Sequence, residues 1–412
     1  MTVVIIGGGQ AGLQVADSLR AGGHAGTITV IADEPGLPYQ RPPLSKDYLA
    51  AGSDPSPLPL RAASFFSEKD ISLRNGAAAV AVDRAGKSVS LSDGSALPYD
   101  HLVFATGAAN RALTCPGADL PGVHGLKTLG DAETLHSAFD AARNVVVVGA
   151  GFIGLEVAAA ARSRGCAVTV LEFAPRPMGR ALSPDMGDWF TAAHTGLGVS
   201  MRLNEGIGHF EAGPDGRVAT AVSTAGARYP ADLVVVGIGV VPNDALAAAA
   251  GLETGNGIVV DAALRTSDPS ILAVGDCASF PSVHTGGRAR LESVQNATDQ
   301  GRHAARTILG TPSPYGDLPW FWSTQGNLRL QIAGLWAPGD ETLVVGEPES
   351  GKFSILCFRN SRLAAVESVN SPADHMGARK LLAAGRGPSP EEAAAPGFSL
   401  KSHARQVSPT PV

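Results

Sequence analysis

The pattern of apolar and polar residues predicts the same supersecondary unit twice in this chain. Near its start, the apolar run Val3 to Ile6 leads into a glycine-rich turn, a helix-like segment and a second apolar run, Thr27 to Ala32, which ends at Asp33. The stretch from Asn144 to Glu172 repeats this order and also ends on an acid. Each stretch therefore predicts a β-strand, an α-helix and a parallel β-strand.

The two turns carry glycines at the same spacing, which suggests a ligand. The glycines are Gly7, Gly9 and Gly12 in the first turn, and Gly149, Gly151 and Gly154 in the second. Such glycines let the backbone approach a pyrophosphate, the helix N-terminus faces the phosphates, and an acid about 20 residues later accepts from a ribose hydroxyl. The chain therefore predicts two dinucleotide sites, one for a tightly bound cofactor and one for a nucleotide that comes and goes.

The rest of the pattern predicts an α/β protein. Strands are expected within 71–106, with a hairpin turn at Asp93-Gly94, and within 217–224, 228–229, 232–239 and 266–276, followed by a helix over 292–309. The strand that ends at Asp276 delivers an acid from its C-terminal end, where open α/β sheets bind ligands.

The prolines of the segment Pro38 to Lys46 forbid a regular helix or a central strand. The segment is either a rigid surface loop or a loop that places Arg41 and Lys46 on a diphosphate beside the first glycine turn. Toward the C-terminus, clustered aromatics at 319–322 and alternating apolar positions up to residue 369 predict an antiparallel sheet, with a helix over 373–384. From residue 385 the pattern is lost, which predicts a mobile tail.

Composition narrows the functional classes. The chain has 412 residues, and its formal net charge of −6 argues against a nucleic-acid binder. No apolar run approaches the roughly 18 residues of a membrane helix, and the first residues have the pattern of a β-strand rather than of a signal peptide. The four cysteines, Cys115, Cys166, Cys277 and Cys357, are scattered, so we expect no metal site or redox disulfide. Few, scattered thiols fit a cytoplasmic protein.

Several segments together resemble a known family. The motifs GGGQAG with Asp33, ATG at 105–107, GAGFIG with Glu172, and ILAVGD at 271–276 are similar to those of the two-dinucleotide flavoproteins related to glutathione reductase. The segments PYQRPPLSK, RLESVQNATDQG and PWFWSTQGNLRLQIAGL resemble those of the ferredoxin reductases of bacterial oxygenase systems. The resemblance implies an FAD domain (1–112 and 243–318) interrupted by an NAD domain (113–242), an antiparallel C-terminal domain (319–386) and a flexible tail (387–412).

The resemblance also implies the site residues. For FAD they are Gly7, Gly9, Ala11, Gly12, Asp33, Arg41, Lys46, Ala79, Thr106, Gly107, Lys127 (an Arg in relatives), Asp276, Val294 and Trp322. For NADH they are Gly149, Gly151, Ile153, Gly154, Glu156, Glu172 and Gly239. Glu156, Glu292 and Trp322 are the candidate catalytic residues. Glu156 has an alternative interpretation, a first-turn carboxylate favoured by the helix dipole. Thr324 and Val294 depart from residues found in relatives, an acid and a Trp respectively.

The implied activity is hydride transfer from NADH to FAD, followed by single-electron transfer to an acidic [2Fe–2S] ferredoxin that serves an oxygenase. Alternatives are a rubredoxin reductase, an NADH oxidase (although no cysteine lies near residue 40), and a redox-sensing protein of the apoptosis-inducing-factor type. Glu172 favours NADH, because a carboxylate repels the 2′-phosphate of NADPH. Arg176 and Arg180 lie downstream, and since NADPH enzymes usually place an Arg near this phosphate, NADPH remains an alternative.

An acidic ferredoxin also predicts a local basic face. Its candidates are Arg288, Arg290, Arg302 and Arg306, with Arg329 and Lys352 less favoured; the alternative for each is a solvated surface cation. We expect transient docking by a monomer or weak dimer, and no nucleic-acid or membrane partner.

Overall fold

A computed structural model describes residues 1–50 and 58–407. The helices are α1 (Gln10–Ala21), α2 (Ala63–Glu68), α3 (Leu129–Ala141), α4 (Phe152–Ser163), α5 (Pro184–Gly196), α6 (Ala245–Ala249), α7 (Val294–Ile308), α8 (Pro372–Ala384), α9 (Pro390–Ala393) and α10 (Leu400–Val407). Short 3₁₀ turns occupy Pro42–Ser45, Asp47–Leu49, Gly275–Cys277 and Pro348–Ser350.

The strands are β1 (Val3–Ile6), β2 (Ile28–Ala32), β3 (Ile71–Asn75), β4 (Ala79–Asp83), β5 (Ser88–Leu91), β6 (Ala96–Pro98), β7 (His101–Phe104), β8 (Ala108–Asn110), β9 (Val123–Gly125), β10 (Asn144–Val148), β11 (Ala167–Glu172), β12 (Val199–Leu203), β13 (Ile207–Ala212), β14 (Val218–Ser223), β15 (Arg228–Pro230), β16 (Leu233–Val236), β17 (Val240–Pro242), β18 (Thr254–Gly255), β19 (Gly257–Val259), β20 (Ile271–Ala273), β21 (Ala278–Ser282), β22 (Gly287–Ala289), β23 (Trp320–Gln325), β24 (Leu328–Gly334), β25 (Glu341–Glu347), β26 (Lys352–Arg359) and β27 (Arg362–Val369).

The described residues form two compact units. Of the described residues, 1–40, 58–109 and 240–317 form the first unit, and 41–50, 110–239 and 318–407 form the second. The proline-rich segment is thus divided after Gln40, and its later part belongs to the second unit. The finer division into three domains stays a prediction.

The first unit is built on a parallel sheet with the strand order β20-β7-β1-β2-β3. The central strand β1 is buried along its whole length, as the apolar run at its position predicts. Val3 pairs with Ile28 on one side and with His101 on the other. This arrangement brings the C-terminal ends of β1, β2, β7 and β20 to one edge of the sheet, where the first glycine turn, Asp33, Thr106 and Asp276 follow them.

The second unit contains a parallel sheet with the order β12-β11-β10-β16-β9. Its central strand β10 pairs with β11 and β16, and Val145 to Val148 are all buried. Consequently the second glycine turn and Glu172 lie at the same edge of this sheet, which repeats the arrangement in the first unit.

The second unit also contains the predicted antiparallel sheet, with the order β23-β24-β27-β26-β25. Helix α8 packs on it and closely matches the predicted helix. The expectation of a mobile tail over 387–412 is wrong up to residue 407, because α9 and α10 continue the fold: Ala393, Leu400 and Ala404 are buried in one core with Leu381 of α8. Residues 408–412 lie outside the described residues.

Smaller elements confirm further sequence predictions. The strands β4, β5 and β6 form a three-stranded antiparallel sheet. Asp93 shapes the β5–β6 turn, since its Oδ1 accepts from the amide of Ser95 at 2.9 Å and from its hydroxyl at 2.6 Å. The prolines after Arg41 exclude an α-helix, as predicted, but they permit the 3₁₀ turn Pro42–Ser45 because Pro is compatible with the first turn of a helix.

Among the described residues, no helix is both long enough and apolar enough to span a bilayer.

Candidate functional site

The first glycine turn is closed tightly by the backbone. Gly7 has a φ of +122°, and a Cβ at this position would lie 2.1 Å from the carbonyl oxygen of Ala105. A Cβ on Gly12 would lie 2.0 Å from the carbonyl oxygen of Gly7. By contrast, a Cβ on Gly9 would meet no described atom within 4 Å. Gly7 and Gly12 therefore serve the fold, whereas Gly9 borders open space at the N-terminus of α1.

The second turn repeats this geometry. Gly149 has a φ of +100°, and its Cβ would lie 2.5 Å from the carbonyl oxygen of Gly237; a Cβ on Gly154 would lie 2.1 Å from that of Gly149. Gly151 again faces the open side, with its nearest atom at 3.8 Å. In both units the helix after the turn starts with a glycine N-cap.

The N-termini of α1 and α4 are free to bind an anion. Within the described residues, neither helix receives a side-chain cap, and neither has an acid in its first turn. Helices α3, α5 and α7, in contrast, are capped by Thr128, Ser183 and Ser293. Uncapped amides, the helix dipole and a cradle without Cβ atoms fit a pyrophosphate group. The residues present therefore fit a dinucleotide at each turn.

The two predicted ribose-binding acids lie beside these turns. Asp33 is exposed at the end of β2, and its Oδ1 accepts from the amide of Glu34 at 3.0 Å. Glu172 is half-buried at the end of β11; its Oε2 accepts from the amide of Ala150 at 2.7 Å, and its Oε1 from that of Ala174 at 2.8 Å. Because each carboxylate oxygen can accept more than one hydrogen bond, Glu172 can still accept one from a ribose hydroxyl.

The other predicted FAD residues of the first unit lie on several of its elements. Thr106 and Gly107 follow β7 and are fixed by Asn243, whose Nδ2 donates to the Thr106 carbonyl at 2.8 Å and whose amide donates to the Gly107 carbonyl at 3.0 Å. Asp276 lies on the 3₁₀ turn after β20. Ala11 lies in α1, Val294 opens α7, and Ala79 opens β4. Asn243 is a supporting residue that no motif in the sequence indicates.

Glu292, one of the candidate catalytic residues, forms an ion pair. Its Oε1 lies 2.7 Å from Nη2 of Arg290. The side chain of Arg290 is only 8 % exposed, and its Nη1 donates to the carbonyl oxygen of Asp276 at 3.1 Å. The prediction that Arg290 belongs to a basic surface is therefore wrong, because this guanidinium supports the turn that holds Asp276. Arg288 is exposed, although its guanidinium donates to the carbonyl of Val260 at 2.8 Å. Arg302 and Arg306 are exposed on α7, where Arg302 pairs with Asp299 at 2.8 Å.

In the second unit, Glu156 is the centre of a buried polar network. It lies in the second turn of α4, is 3 % exposed, and accepts from Nζ of Lys46 at 2.7 Å. The hydroxyl of Ser45 donates to the same carboxylate oxygen at 2.5 Å, and that of Ser323 donates to the other at 2.6 Å. Glu156 is thus a paired buried acid rather than a surface carboxylate that only complements the helix dipole. Its place beside the nicotinamide stays a prediction.

The network extends further into the second unit. Gln325 donates from Nε2 to the hydroxyl of Ser323 at 3.1 Å and to Sδ of Met178 at 3.5 Å, and its Oε1 lies 2.7 Å from Nε2 of the buried His194. Met178 in turn donates its amide to the carbonyl oxygen of Ala150, in the glycine turn, at 2.9 Å. A continuous chain of contacts therefore joins the glycine turn to Glu156. Sequence reasoning missed it because its members lie far apart along the chain.

The remaining predicted residues lie in the second unit. Arg41 donates from Nη1 to the carbonyl oxygen of Lys127 at 2.7 Å, so these two predicted FAD residues are neighbours. Trp322 is half-buried on β23, with its ring centroid 5.5 Å from that of Trp320. Gly239 has a φ of +98° after β16, and a Cβ there would lie 3.3 Å from Nη2 of Arg180. Ile153, in the first turn of α4, is 42 % exposed at the open side of the glycine turn. The flavin contacts of Arg41, Lys46, Lys127 and Trp322 stay predictions.

Comparisons with known proteins agree with this geometry. Residues 1–301 match the family model "Pyridine nucleotide-disulphide oxidoreductase", and residues 320–404 match "Reductase C-terminal". Rhodocoxin reductase of Rhodococcus erythropolis is 54 % identical over 401 residues, which cover 97 % of this chain and 94 % of the relative. A rubredoxin-NAD(+) reductase of Pseudomonas putida is 40 % identical over 372 residues, covering 90 % and 96 %.

A solved structure also superimposes closely. The ferredoxin reductase for the CYP199A2 system from Rhodopseudomonas palustris matches with a TM-score of 0.95 at 47 % identity, covering 98 % of this chain and 99 % of that one. The matches extend over both units and include the antiparallel sheet and the helices that follow it. The chain therefore belongs to the pyridine nucleotide-disulphide oxidoreductase family, and within it to the ferredoxin reductases.

Proposed function

We propose that this protein is an FAD-containing NADH:ferredoxin reductase of a bacterial oxygenase system. It takes a hydride from NADH and passes single electrons to an acidic [2Fe–2S] ferredoxin, which serves a haem-thiolate monooxygenase or a ring-hydroxylating dioxygenase. The observation that carries the proposal is the repeated glycine turn. In each unit, a helix without a side-chain cap begins at a glycine that borders open space, and the next strand ends at an acid. The names of the relatives support the electron acceptor.

The residues of each unit have distinct tasks in this proposal. In the first unit, the amides around Gly9 hold the pyrophosphate of FAD, and Asp33 accepts from its adenosine ribose. In the second, the amides around Gly151 hold the pyrophosphate of NADH, and Glu172 accepts from its ribose. A bound flavin supplies the conversion between two-electron and one-electron transfer. The task of the protein is therefore to position its ligands rather than to provide a nucleophile.

The cysteines do not support disulfide chemistry. Burial raises the pKa of all four thiols, so none is a reactive thiolate. All four are free, and three of them are buried. This favours transfer of electrons to an external carrier over transfer to a protein disulfide. Free thiols also suit a reducing compartment, and we include a cytoplasmic location in the proposal.

We further propose that NADH is preferred to NADPH because of Glu172. The phosphate of NADPH would meet this carboxylate, which backbone hydrogen bonds to Ala150 and Ala174 hold in place. We expect kcat/KM to be at least about tenfold higher with NADH, and Glu172→Gln to reduce this ratio. Equal efficiencies of the parent protein with the two nucleotides would refute this preference.

The main test uses the purified protein. We expect flavin absorption bands that persist through desalting, and cytochrome c reduction by NADH that requires added [2Fe–2S] ferredoxin. A protein that stays colourless after reconstitution with FAD would refute the proposal. Rubredoxin is a second candidate acceptor because of the rubredoxin-reductase relative. Comparing kcat/KM for the two carriers decides between them, whereas slow turnover with both would favour the redox-sensing alternative.

A further inference from the structure

Phe173 is the most exposed of the large apolar side chains among the described residues. Its side chain follows Glu172 at the end of β11, and the residue is 82 % exposed. Large aromatic side chains gain much of their stabilising free energy from burial, so an isolated exposed ring invites a functional explanation. Single exposed apolar residues are common on protein surfaces, so the position of the ring decides whether it has a function.

The local fold is held by backbone and carboxylate contacts and does not depend on the Phe173 ring. Oε1 of Glu172 accepts from the amide of Ala174 at 2.8 Å, and the amide of Glu205 donates to the Glu172 carbonyl at 2.8 Å. The amide of Asn204 donates to the Ala174 carbonyl at 3.1 Å. These bonds fix the backbone on both sides of Phe173. The side chain is thus free to serve a ligand.

The strand order of the second unit defines where each part of NADH would lie. The glycine turn follows β10, Glu172 ends β11, and Gly206 lies beyond β12, which is the next strand of the sheet. The ring of Phe173 leans toward β12, since its Cδ2 lies 3.3 Å from the position of a Cβ on Gly206. In a nucleotide, the base is attached to C1′ of the ribose, whereas the 5′-phosphate is reached through C4′, so the ribose separates the two. The phosphate of the bound nucleotide would therefore lie at the end of β10, the ribose at the end of β11, and the base beyond it, on the side of β12.

We propose that Phe173 binds the adenine of NADH by stacking, with Gly206 against one side of the ring and the exposed side left for the base. This inference rests on the proposed function, because it assigns NADH to the second glycine turn. An aromatic ring stacks on a purine face without needing any hydrogen bond to the base. Phe173 therefore contributes to the affinity for the adenosine half of the nucleotide and takes no part in the transfer of the hydride.

The test compares two reductants in steady-state assays with ferredoxin. They are NADH and reduced nicotinamide mononucleotide, which carries the same nicotinamide but lacks the adenosine half. In Phe173→Ala we expect the KM for NADH to rise about fivefold to tenfold with kcat unchanged. The rate with the mononucleotide should stay unchanged, and Phe173→Trp should restore the KM for NADH. The control is Val283→Ala, which removes another exposed apolar side chain (72 %), in the first unit.

The outcomes separate this inference from the proposed function. An unchanged KM for NADH in Phe173→Ala, with turnover intact, would overturn the stacking and leave the function standing. A parallel loss with both reductants would also overturn it, because the defect would not depend on adenine. A rise in the KM for ferredoxin instead of NADH would assign Phe173 to the protein partner. Failure of the parent protein to oxidise NADH would refute the proposed function itself.

Discussion

The hydroxyl of Ser323 donates a 2.6 Å hydrogen bond to Oε1 of Glu156, across 167 positions of sequence. Ser323 lies on β23 of the antiparallel sheet and Glu156 lies on α4, directly behind the second glycine turn. On the other side, Lys46 and Ser45 bind the second oxygen of the same carboxylate. Three segments of the chain therefore hold the buried Glu156 carboxylate, so the C-terminal part of the chain helps to fix the helix that follows the second glycine turn.

We predict that Ser323→Ala destabilises the protein by about 1–3 kcal/mol, because the buried Glu156 carboxylate loses a donor that water cannot easily replace. Chemical denaturation monitored by tryptophan fluorescence measures the free energy of unfolding. Thr324→Ala is the matched control, since this half-buried neighbour on the same strand points to the other face. Equal losses in the two variants would contradict a special role for the contact with Glu156.

Gly9 and Gly12 of the first turn should respond differently to the same added methyl group, because only Gly9 borders open space. Gly9→Ala should fold with a loss of at most about 1 kcal/mol, because its Cβ meets open space, but it should lose FAD. Gly12→Ala places the same atom 2.0 Å from the Gly7 carbonyl and should cost more than about 3 kcal/mol. Thermal unfolding of the flavin-free proteins and flavin absorbance after reconstitution measure the two effects. Normal flavin content in Gly9→Ala would contradict a pyrophosphate at this turn.

The burial of Glu367 should make the stability of the protein depend on pH. It is completely buried on β27 and accepts from the amide of Ser183 at 2.7 Å and from its hydroxyl at 2.6 Å. Its pKa is raised to about 7, mainly by desolvation. The hydrogen bonds from Ser183 lower the pKa, and the nearby charge of Asp185 raises it further. Since the folded state holds the proton more tightly than the unfolded state, the stabilisation is complete below about pH 4.5 and is lost as the pH rises through about 7.

We therefore expect the parent protein to lose stability between pH 5 and pH 8, relative to Glu367→Gln, by on the order of 3 kcal/mol at most. Denaturation of both proteins across this range measures the difference. The lowered pKa of the buried His375, about 4, acts in the opposite direction but is common to both proteins. Parallel pH profiles would show that Glu367 does not titrate in this range.

The exposed arginines of α7 should guide the ferredoxin. Arg302 and Arg306 are both exposed on this helix, and Arg302 pairs with Asp299 at 2.8 Å. Of the two candidates that precede the helix, Arg290 is nearly buried in the pair with Glu292, and Arg288 donates to the carbonyl of Val260, so the test concentrates on the helix. The double variant Arg302→Ala/Arg306→Ala should lower kcat/KM for ferredoxin about threefold to tenfold at low ionic strength, and the difference should shrink as salt is added. Arg74→Ala, which removes an exposed arginine of β3, is the control. A rate that does not depend on ionic strength would exclude electrostatic steering.

Local patterns allowed much of the fold to be predicted. The strands β1, β2, β10 and β11 and the glycine turns were found because each pattern is contained in about 30 consecutive residues and reflects a local need, such as an apolar strand or a turn without a Cβ. The Glu156 network was not found, because its partners Ser45 and Ser323 are 111 and 167 positions away. A single serine carries no signal of the carboxylate that it will meet.

The sequence contains local patterns that indicate the helices after residue 385, although the composition of this segment suggests a loop. Ser389 and Glu392 form a capping box, in which each side chain binds the other's backbone amide, and the S-x-x-E spacing is a recognised helix start. Leu400 and Ala404 are four residues apart and bury one face of α10. The Pro, Ser and Ala content suggested a loop, but two short helices need only a few well-placed apolar residues.

The packing of α10 sets a rule for engineering this protein. A version that stops at Arg386 would uncover Leu381 and the rest of the apolar surface that Leu400 and Ala404 shield, and it should tend to aggregate. Affinity tags, immobilisation handles or a fused electron carrier should therefore be joined beyond Val407, so that a single-chain catalyst keeps the last helix in place.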